Sequence, residues 1–395
     1  MPKKAHNKKI SSDDIMSDTV SDEAVLTSVR KVFHNAGCQP VVPPMLQPLD
    51  AFLDLLGEDI RHRLYMVTGD GEEACLRPDM TIPTCRLYLE SYTTGEKAHL
   101  CYEGTVFRQQ PDGSERPTEF LQTGIECLGD GDREAMDAEV MALAVDAVKE
   151  AGLPELKIEM GDLALFDALV EALELPHVWG ARLRRYTRNP SRFREVLATM
   201  ASDKTTAAEE GFLQALASLD GNQAQRLVQD ILGFADIGPL GGRTIDDIAE
   251  RFLEQAVDNL SYALPEDAAV MLSRFLEISG PPEEAVKALR KLCARTGVAL
   301  DKALDALERR LSLVTERGIS LKRARFSAEF GRNLDYYSGF VFELQIDKPV
   351  RESRVLGGGG RYDRLLTVLG SPEPVPAVGC TLRPDRITLA IKKDA

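Results

Sequence analysis

Three polar side chains belong to a predicted β-hairpin between Phe107 and Gly129, and together they could bind a small zwitterion. Arg108 closes the first strand, and its guanidinium can meet a carboxylate in a fork of two hydrogen bonds. Gln122 and Glu126 point from the second strand. Their oxygens can accept hydrogen bonds from an ammonium group or a ring N–H. The hairpin therefore predicts an amino-acid pocket.

A second set of candidate residues lies in the segment LRPDMT. Asp79 and Thr81 are two residues apart, so on an extended backbone their side chains face the same way. A helix begins immediately afterwards, and a cap at its N-terminus explains the same two residues equally well. The segment by itself leaves both roles open.

A third set lies in GRNLDYYSGFVFE, where Arg332 precedes Tyr336 and Tyr337. The arginine could bind an anion, and the tyrosines could surround a ligand ring. Tyrosines beside a strand more often belong to a core or an interface, because a large apolar ring carries only one polar atom. Both interpretations of the tyrosines therefore stay open.

Four consecutive glycines precede Tyr362 in GGGGRYDRLL. Glycine lets a backbone turn tightly or approach a ligand closely. A phosphate cradle is one interpretation of the run. The segment has no P-loop lysine, so a plain turn is the prediction.

Helices and strands that could position these residues occupy both ends of the chain. Residues 20–36 and 132–151 have apolar side chains at helical spacing, and Gly37 and Gly152 end the two helices. AHLCYEGTVFRQQ, LKIEMGD and YYSGFVFELQ are typical of strands. The alternation predicts an α+β fold.

Composition divides the chain into four segments. Residues 1–19 are polar and predict a flexible tail, and residues 20–177 and 321–395 carry the strand signals. From 178 to 320, Leu, Ala and charged residues recur at helical spacing. We expect this stretch to be a mostly helical domain inserted into the sheet-bearing core.

The bulk properties exclude several classes of protein. The net charge of −15 argues against a surface covered in phosphate contacts. No run of 18 apolar residues and no secretory signal are present, so we expect a cytoplasmic protein without membrane contact. The seven cysteines lack a C-x-x-C pair, which predicts reduced thiols. The five histidines are scattered, and neither a metal site nor a cofactor is expected.

The run ARLRRYTRNPSRFR contains six arginines between Arg182 and Arg194 in an otherwise acidic chain. A solvated helix face explains such a run. A docking surface for a partner subunit, or a relic of RNA contact, explains it as well. The sequence does not choose between the three.

The candidate segments, in their order along the chain, resemble histidyl-tRNA synthetase over about residues 20–177 and 320–390. Pro44, Arg108 and Arg386 match the motif 1 proline and the arginines of motifs 2 and 3. RNLDYY and GGRYD match the two histidine-recognition motifs of that family. The resemblance implies a class II aminoacyl-tRNA synthetase-like antiparallel sheet flanked by helices.

The same resemblance implies how the pocket would hold the backbone groups of histidine. Asp79, Thr81 and Gln122 would bind the α-ammonium group. Arg108 and Arg332 would bind the carboxylate. Asp79 stands where the synthetases have Glu, so its shorter arm is a departure from the family pattern.

The resemblance also implies the residues around the imidazole ring. Glu126 and Tyr337 would hold its two nitrogens. Tyr336 and Tyr362 would pack around the ring. With the five residues above, they complete a predicted histidine site of nine residues.

Three departures from the synthetases concern nucleotide and tRNA. Gln110 and Pro111 replace a charged pair of motif 2 that serves ATP and the tRNA end, and Arg383 replaces a glycine that leaves room for adenine. The chain ends nine residues after Arg386, so we expect no C-terminal anticodon-binding domain and no tRNA partner. Synthetase activity is predicted to be lost.

This combination resembles the regulatory subunits of ATP phosphoribosyltransferase. It implies a non-catalytic protein that activates a short-form catalytic subunit and confers feedback regulation by L-histidine at the first step of histidine biosynthesis. It also implies a homodimer, formed through the motif 1 region, within a hetero-oligomer. Two alternatives stay open: a histidyl-tRNA synthetase-like ligase lacking its anticodon domain, and a stand-alone histidine-dependent RNA-binding or stress-sensing module.

Overall fold

The computed structural model describes most of the strand-bearing part of the chain. The described residues are 21–53, 55, 62–67, 73–111, 113, 114, 116–175, 183, 226, 227, 230, 265–331, 336–350 and 353–394. Within them the strands are β1 Gln39–Val41, β2 Leu46–Pro48, β3 Met66–Val67, β4 Ala74–Leu76, β5 Ala98–Phe107, β6 Glu119–Leu128, β7 Lys157–Asp162, β8 Ser279–Gly280, β9 Ala324–Ser327, β10 Phe340–Val350, β11 Ser353–Arg361 and β12 Ala377–Leu382.

The helices of the described residues flank these strands. They are α1 Asp22–Asn35, α2 Asp50–Leu53, α3 Thr81–Ser91, α4 Arg133–Glu150, α5 Leu163–Ala172, α6 Glu266–Leu276, α7 Pro282–Thr296, α8 Asp301–Glu316, α9 Leu365–Val368 and α10 Pro384–Asp394. Helix α4 begins where the sequence predicts, because the carboxylate of Asp132 accepts a hydrogen bond from Ala135 N at 3.2 Å. It ends before Gly152, which has a φ of 111°.

Nine strands form one sheet in the order β1-β5-β6-β12-β11-β10-β7-β9-β8. Strand β1 runs parallel to β5, and β7 runs parallel to β9; the other neighbours in this sheet are antiparallel. A smaller antiparallel sheet has the order β2-β4-β3. The predicted α+β fold is confirmed.

The hairpin predicted between Phe107 and Gly129 is the pair β5–β6. Its register runs without a break from Ala98 opposite Leu128 to Phe107 opposite Glu119. Alternation along β6 places Ile125 and Cys127 in the core with residues of α1 and α4. Gln122 and Glu126 therefore lie on the opposite face of the sheet.

The four glycines predicted to form a turn are part of strand β11, so that prediction is wrong. Gly359 pairs with Cys380 on one side and Phe342 on the other. A Cβ atom at Gly359 would overlap the carbonyl oxygen of Gly379. The glycines allow close approach of neighbouring strands, which is why a run that favours turns is found in a sheet.

The predicted insertion is described only from residue 265 onward, together with Leu183 and residues 226, 227 and 230. Helix α8 packs on α4, and Arg310 of α8 bonds Asp137 of α4 at 2.8 Å and Asp162 at 2.9 Å. The division at 178 and 320 stays a prediction. The six arginines of the run 182–194 lie outside the described residues.

The seven cysteines all lie within the described residues and form no disulfide, and five of them are buried. Burial raises the pKa of Cys75 to about 11 and that of Cys38 to about 12. No helix of the described residues is long and apolar enough to cross a membrane. In the same part of the chain, no group of His, Cys, Asp and Glu has the arrangement of a metal site.

Candidate functional site

A cavity of about 360 Å³ opens on the sheet face that carries Gln122. Six of the nine residues predicted to bind a ligand line it: Asp79, Thr81, Arg108, Gln122, Tyr336 and Tyr337. They come from the β4–α3 connection, the β5–β6 hairpin and the segment before β10. The fold thus brings three separated sequence motifs to one place.

One wall of the cavity presents buried acceptors. Asp79 is 4% exposed; its Oδ1 accepts a hydrogen bond from Ile82 N at 3.2 Å, and its Oδ2 accepts none from the described residues. The side-chain oxygen of the buried Gln122 is also without a donor among these residues. A buried acceptor left unpaired is costly. The arrangement therefore favours a ligand that brings several donors, such as an ammonium group.

The hydrogen bond from Ile82 confirms that Asp79 caps the first turn of α3, and its role in ligand binding stays a prediction. The second carboxylate oxygen accepts no hydrogen bond from the described residues, so both roles are compatible. Burial raises the pKa of Asp79, and the nearby Arg108 opposes this shift. The carboxylate thus depends on a positive neighbour to stay ionised.

Arg108 supplies the positive side of the cavity. Its Nε donates to Pro78 O at 2.7 Å, and its backbone N donates to Thr118 O at 2.8 Å. Burial lowers the pKa of Arg108 to about 10, although Asp79 opposes the shift. With Nε engaged, the terminal guanidinium nitrogens are left to meet a carboxylate.

Glu126 and Tyr362 do not line the cavity. Both are buried, and the Tyr362 hydroxyl donates to Oε2 of Glu126. The second carboxylate oxygen of Glu126 has no partner among the described residues. Burial raises the pKa of Glu126 to about 8, although the Tyr362 hydrogen bond opposes the shift. The two residues form a second polar layer behind the cavity.

The tyrosines join the cavity to this second layer. The rings of Tyr336 and Tyr337 lie 4.8 Å apart, centroid to centroid, and Tyr362 lies 5.7 Å from Tyr336. Tyr336 and Tyr362 also belong to the hydrophobic cluster around α3 and β5. Tyr336 therefore serves both as a core residue and as part of the pocket, whereas Tyr362 belongs to the core behind it. Arg332, the ninth predicted residue, lies outside the described residues.

The cavity is also lined by residues that the sequence did not assign to the pocket. Glu343 of β10 and Thr381 of β12 line it. Period-two alternation along each strand could have identified both residues if the strand order had been known. In the structure Glu343 pairs with Gly358, and Thr381 pairs with Gly124. That order is not visible in the sequence.

Arg383 and Arg386 also line the cavity. The guanidinium carbon of Arg383 lies 3.6 Å from the centroid of the Phe120 ring, and Asp385 holds the guanidinium through bonds of 2.9 and 2.8 Å. Arg386 bonds Val355 O at 2.8 Å, and its pKa is lowered to about 10 by burial and the nearby Arg383. Arg383 thus occupies the space over Phe120.

Comparison with known proteins finds relatives that match most of the chain. The family model described as "Histidyl-tRNA synthetase" matches residues 16–238 and 225–387. A protein of Chelativorans sp. (strain BNC1) is 39% identical over 349 residues, which are 87% of this chain and 91% of that protein. A protein of Brucella anthropi is 35% identical over 374 residues, 94% of this chain and 98% of that protein. Both are named "ATP phosphoribosyltransferase regulatory subunit".

Solved structures share the fold. A Bacillus halodurans protein, described as an ATP phosphoribosyltransferase regulatory subunit/histidyl-tRNA synthetase, matches with a TM-score of 0.64 at 22% identity. The match covers 98% of this chain and 84% of that one. A histidyl-tRNA synthetase from Nostoc matches with a TM-score of 0.60 at 16% identity, over 98% of this chain and 76% of that one. The predicted class II synthetase-like fold is confirmed.

Proposed function

The chain belongs to the family of ATP phosphoribosyltransferase regulatory subunits, and from that premise we propose that its cavity senses L-histidine. It is a regulatory rather than a catalytic subunit. In this proposal it assembles in the cytoplasm with a short-form catalytic subunit and is required for its activity. Histidine bound in the cavity inhibits the complex at the first step of histidine biosynthesis.

The pairing of Asp79 with Arg108 across one cavity carries the proposal. Among the described residues, one buried carboxylate oxygen of Asp79 has no donor and the Arg108 guanidinium is held through its Nε, so the two side chains can match the two charges of an amino acid. Charge-assisted hydrogen bonds contribute about 1.5–3 kcal/mol each. Two or three of them support a Kd near 100 µM, which needs about −5.5 kcal/mol. A metabolite sensor needs no tighter binding.

The layer behind the cavity gives the selectivity for histidine. The free oxygen of Glu126 can accept from one ring nitrogen of an imidazole, and a tyrosine hydroxyl can bond the other. An aliphatic side chain in this place would leave the buried carboxyl without a donor, which is costly. Because Glu126 does not line the cavity, we expect ring contact with it to require movement of the lining, which includes Tyr336 and Tyr337.

Regulation requires that histidine favour one state of the complex over the other. A coupling of about 1–3 kcal/mol between the histidine site and the active site of the catalytic subunit changes the activity of the complex 5- to 150-fold. The site need therefore contribute only a small part of its binding free energy to inhibition. Arg332, which lies outside the described residues, completes the proposed carboxylate contact.

Calorimetric titration with L-histidine, with and without the catalytic subunit, tests the proposal. Histidinol, which lacks the carboxylate, should bind at least about tenfold more weakly, because the Arg108 contact is lost. Glu126→Ala and Tyr337→Ala should remove both binding and inhibition, whereas Glu119→Ala, at the exposed start of β6, should change neither. A catalytic subunit that stays equally sensitive to histidine with Glu126→Ala would contradict the proposed site.

The matching family model is that of a histidyl-tRNA synthetase, so the proposed regulatory role is tested against retained ligase activity. Histidine-driven exchange between ATP and pyrophosphate separates the two. Robust exchange would favour the ligase. No exchange, together with activation of a phosphoribosyltransferase, supports the regulatory subunit.

The homodimer is proposed to form through the segment around Pro44. Val42 is 85% exposed, and Met45, Leu46 and Met66 nearby are also exposed. Strand β1, which this segment follows, lies at the edge of the large sheet. Covering such apolar side chains favours association. Val42→Asp should shift the chain toward the monomer in analytical ultracentrifugation, and an unchanged mass would contradict this surface.

A further inference from the structure

Arg77 is a buried cation in the connection between β4 and α3. It is 5% exposed, and no described carboxylate forms a salt bridge with it. Its Nε donates to Thr105 O at 2.7 Å, and one terminal nitrogen donates to Pro43 O at 2.7 Å. Buried charges are ordinarily paired, because an unpaired one is costly. Burial lowers the pKa of Arg77 accordingly. Because burying this charge is costly, we expect the contacts of Arg77 to serve a function.

One side of Arg77 holds the exposed apolar segment 42–46. Besides the bond to Pro43 O, the backbone N of Arg77 donates to Met45 O at 3.0 Å. Two bonds from one residue therefore fix a segment whose side chains at Val42 and Met45 face solvent. The position of Arg77 determines the path of this segment.

The other side of Arg77 holds the cavity wall. Gly104 of β5 pairs with Gln122, and a Cβ atom at Gly104 would overlap the Arg77 guanidinium. Phe107 N donates to Arg77 O at 3.1 Å. The chain then continues through Pro78, whose carbonyl holds Arg108, to Asp79. The guanidinium thus lies against the strand that carries the pocket residues.

We propose that Arg77 is a positioning residue that couples occupancy of the cavity to the conformation of segment 42–46. A ligand that draws Asp79 and Arg108 together changes the backbone at Pro78, next to Arg77. The guanidinium bonds transmit that change to Pro43, because they tie the carbonyl of Pro43 to that of Thr105 in β5. The inference rests on the proposed function for the identity of the ligand.

Hydrogen–deuterium exchange on the full chain tests the coupling. With L-histidine, segment 42–46 should exchange at least about fivefold more slowly, in keeping with typical coupling between sites. Arg77→Met should abolish this protection and weaken histidine binding about tenfold. Arg77→Lys keeps the charge and one donor, so it should retain part of the protection. Full protection in Arg77→Met would overturn the inference.

Arg86→Met is the matched control. Arg86 bonds the side chain of Gln47 at 2.7 Å, and Gln47 bonds Pro44 O at 2.8 Å, so this arginine holds the same segment from the α3 side. Arg86→Met should loosen the segment and keep its response to histidine. Gly104→Ala, which displaces the Arg77 side chain without changing its charge, should behave as Arg77→Met does.

A second measurement separates this inference from the proposed function. In the protein without histidine, Arg77→Met should speed exchange in both segment 42–46 and residues 104–108. Arg86→Met should speed it in the first segment alone. Failure of the wild type to bind histidine would sink the proposed function, and these two exchange patterns would still decide the coupling. Faster exchange in only one segment of Arg77→Met would overturn it.

Discussion

Tyr362 donates its hydroxyl hydrogen to Oε2 of Glu126, and this bond lies behind the ligand cavity rather than inside it. The two residues are 236 positions apart in the chain and meet because β12 places Gly379 opposite Glu126. The carboxyl is wholly buried, so its protonation responds to burial, to Tyr362 and to any ligand that reaches its free oxygen. Several measurable properties follow from this one contact.

The first prediction concerns stability and pH. The pKa of Glu126 is about 8 in the folded chain and about 4.3 in an unfolded one. Between these values the native state binds more protons, so the free energy of unfolding falls as pH rises from about 5 to 8. Glu126→Gln keeps the shape of the side chain but cannot ionise. The free energy of unfolding of this variant should therefore fall by a few kcal/mol less over the same pH range. Urea denaturation from pH 5 to 8 measures it; parallel curves would contradict the buried carboxyl.

The second prediction concerns histidine affinity and pH. Free imidazole has a pKa near 6.5, and Glu126 without ligand has a pKa of about 8. The bound pair shares one proton, so affinity should be greatest between about pH 6.5 and 8 and fall about tenfold per unit above 8. Calorimetry in buffers of different ionisation enthalpy should show proton uptake above pH 8. No uptake there would mean that the ring does not reach Glu126.

The third prediction concerns Gly379. A Cβ atom at this position would overlap the Glu126 carboxylate, so Gly379→Ala must displace that side chain or the strand. We expect stability to fall by about 1–3 kcal/mol. We also expect histidine binding to become too weak to measure. Gly131→Ala is the control, because a Cβ there has no neighbour within 4 Å. Thermal unfolding and calorimetry of both variants test this; wild-type affinity in Gly379→Ala would be the contrary result.

The fourth prediction concerns the buried ionic cluster between α4, α8 and β11. Asp137 bonds Arg310 at 2.8 Å and Arg361 at 2.8 Å, and it has no solvent exposure. Asp137→Asn removes the carboxylate that the two buried arginines share, and leaves Arg310 with Asp162 and Arg361 with Asp363, so it should cost about 1–3 kcal/mol.

Arg309 provides the contrast for this cluster. It is adjacent in the chain to Arg310 but pairs with Asp132 at the surface. Arg309→Met should change stability little, because exposed ion pairs are screened by solvent. Urea denaturation of Asp137→Asn and Arg309→Met compares the two; equal losses would contradict the assignment of burial.

Much of the fold follows from local patterns in the chain. Apolar spacing predicts α1 and α4, and strand alternation with a polar turn predicts the β5–β6 pair. The glycines of β11 were mispredicted because glycine preference is local, whereas their place in a sheet is decided by strands that must approach closely on both sides. The resemblance of short motifs also indicated six of the residues that line the cavity.

Residue spacing alone predicts which side chains can share a face: period-two alternation places Gln122 and Glu126 on one face of β6 whatever the rest of the chain does. Long-range packing, in contrast, sets which of them lines the cavity. It places Gln122 in the lining, Glu126 behind it beside Tyr362, and Arg77 in a buried position with no salt bridge to a described carboxylate. Depth and charge environment depend on strands far away in the chain, and their order is set by packing of the whole sheet.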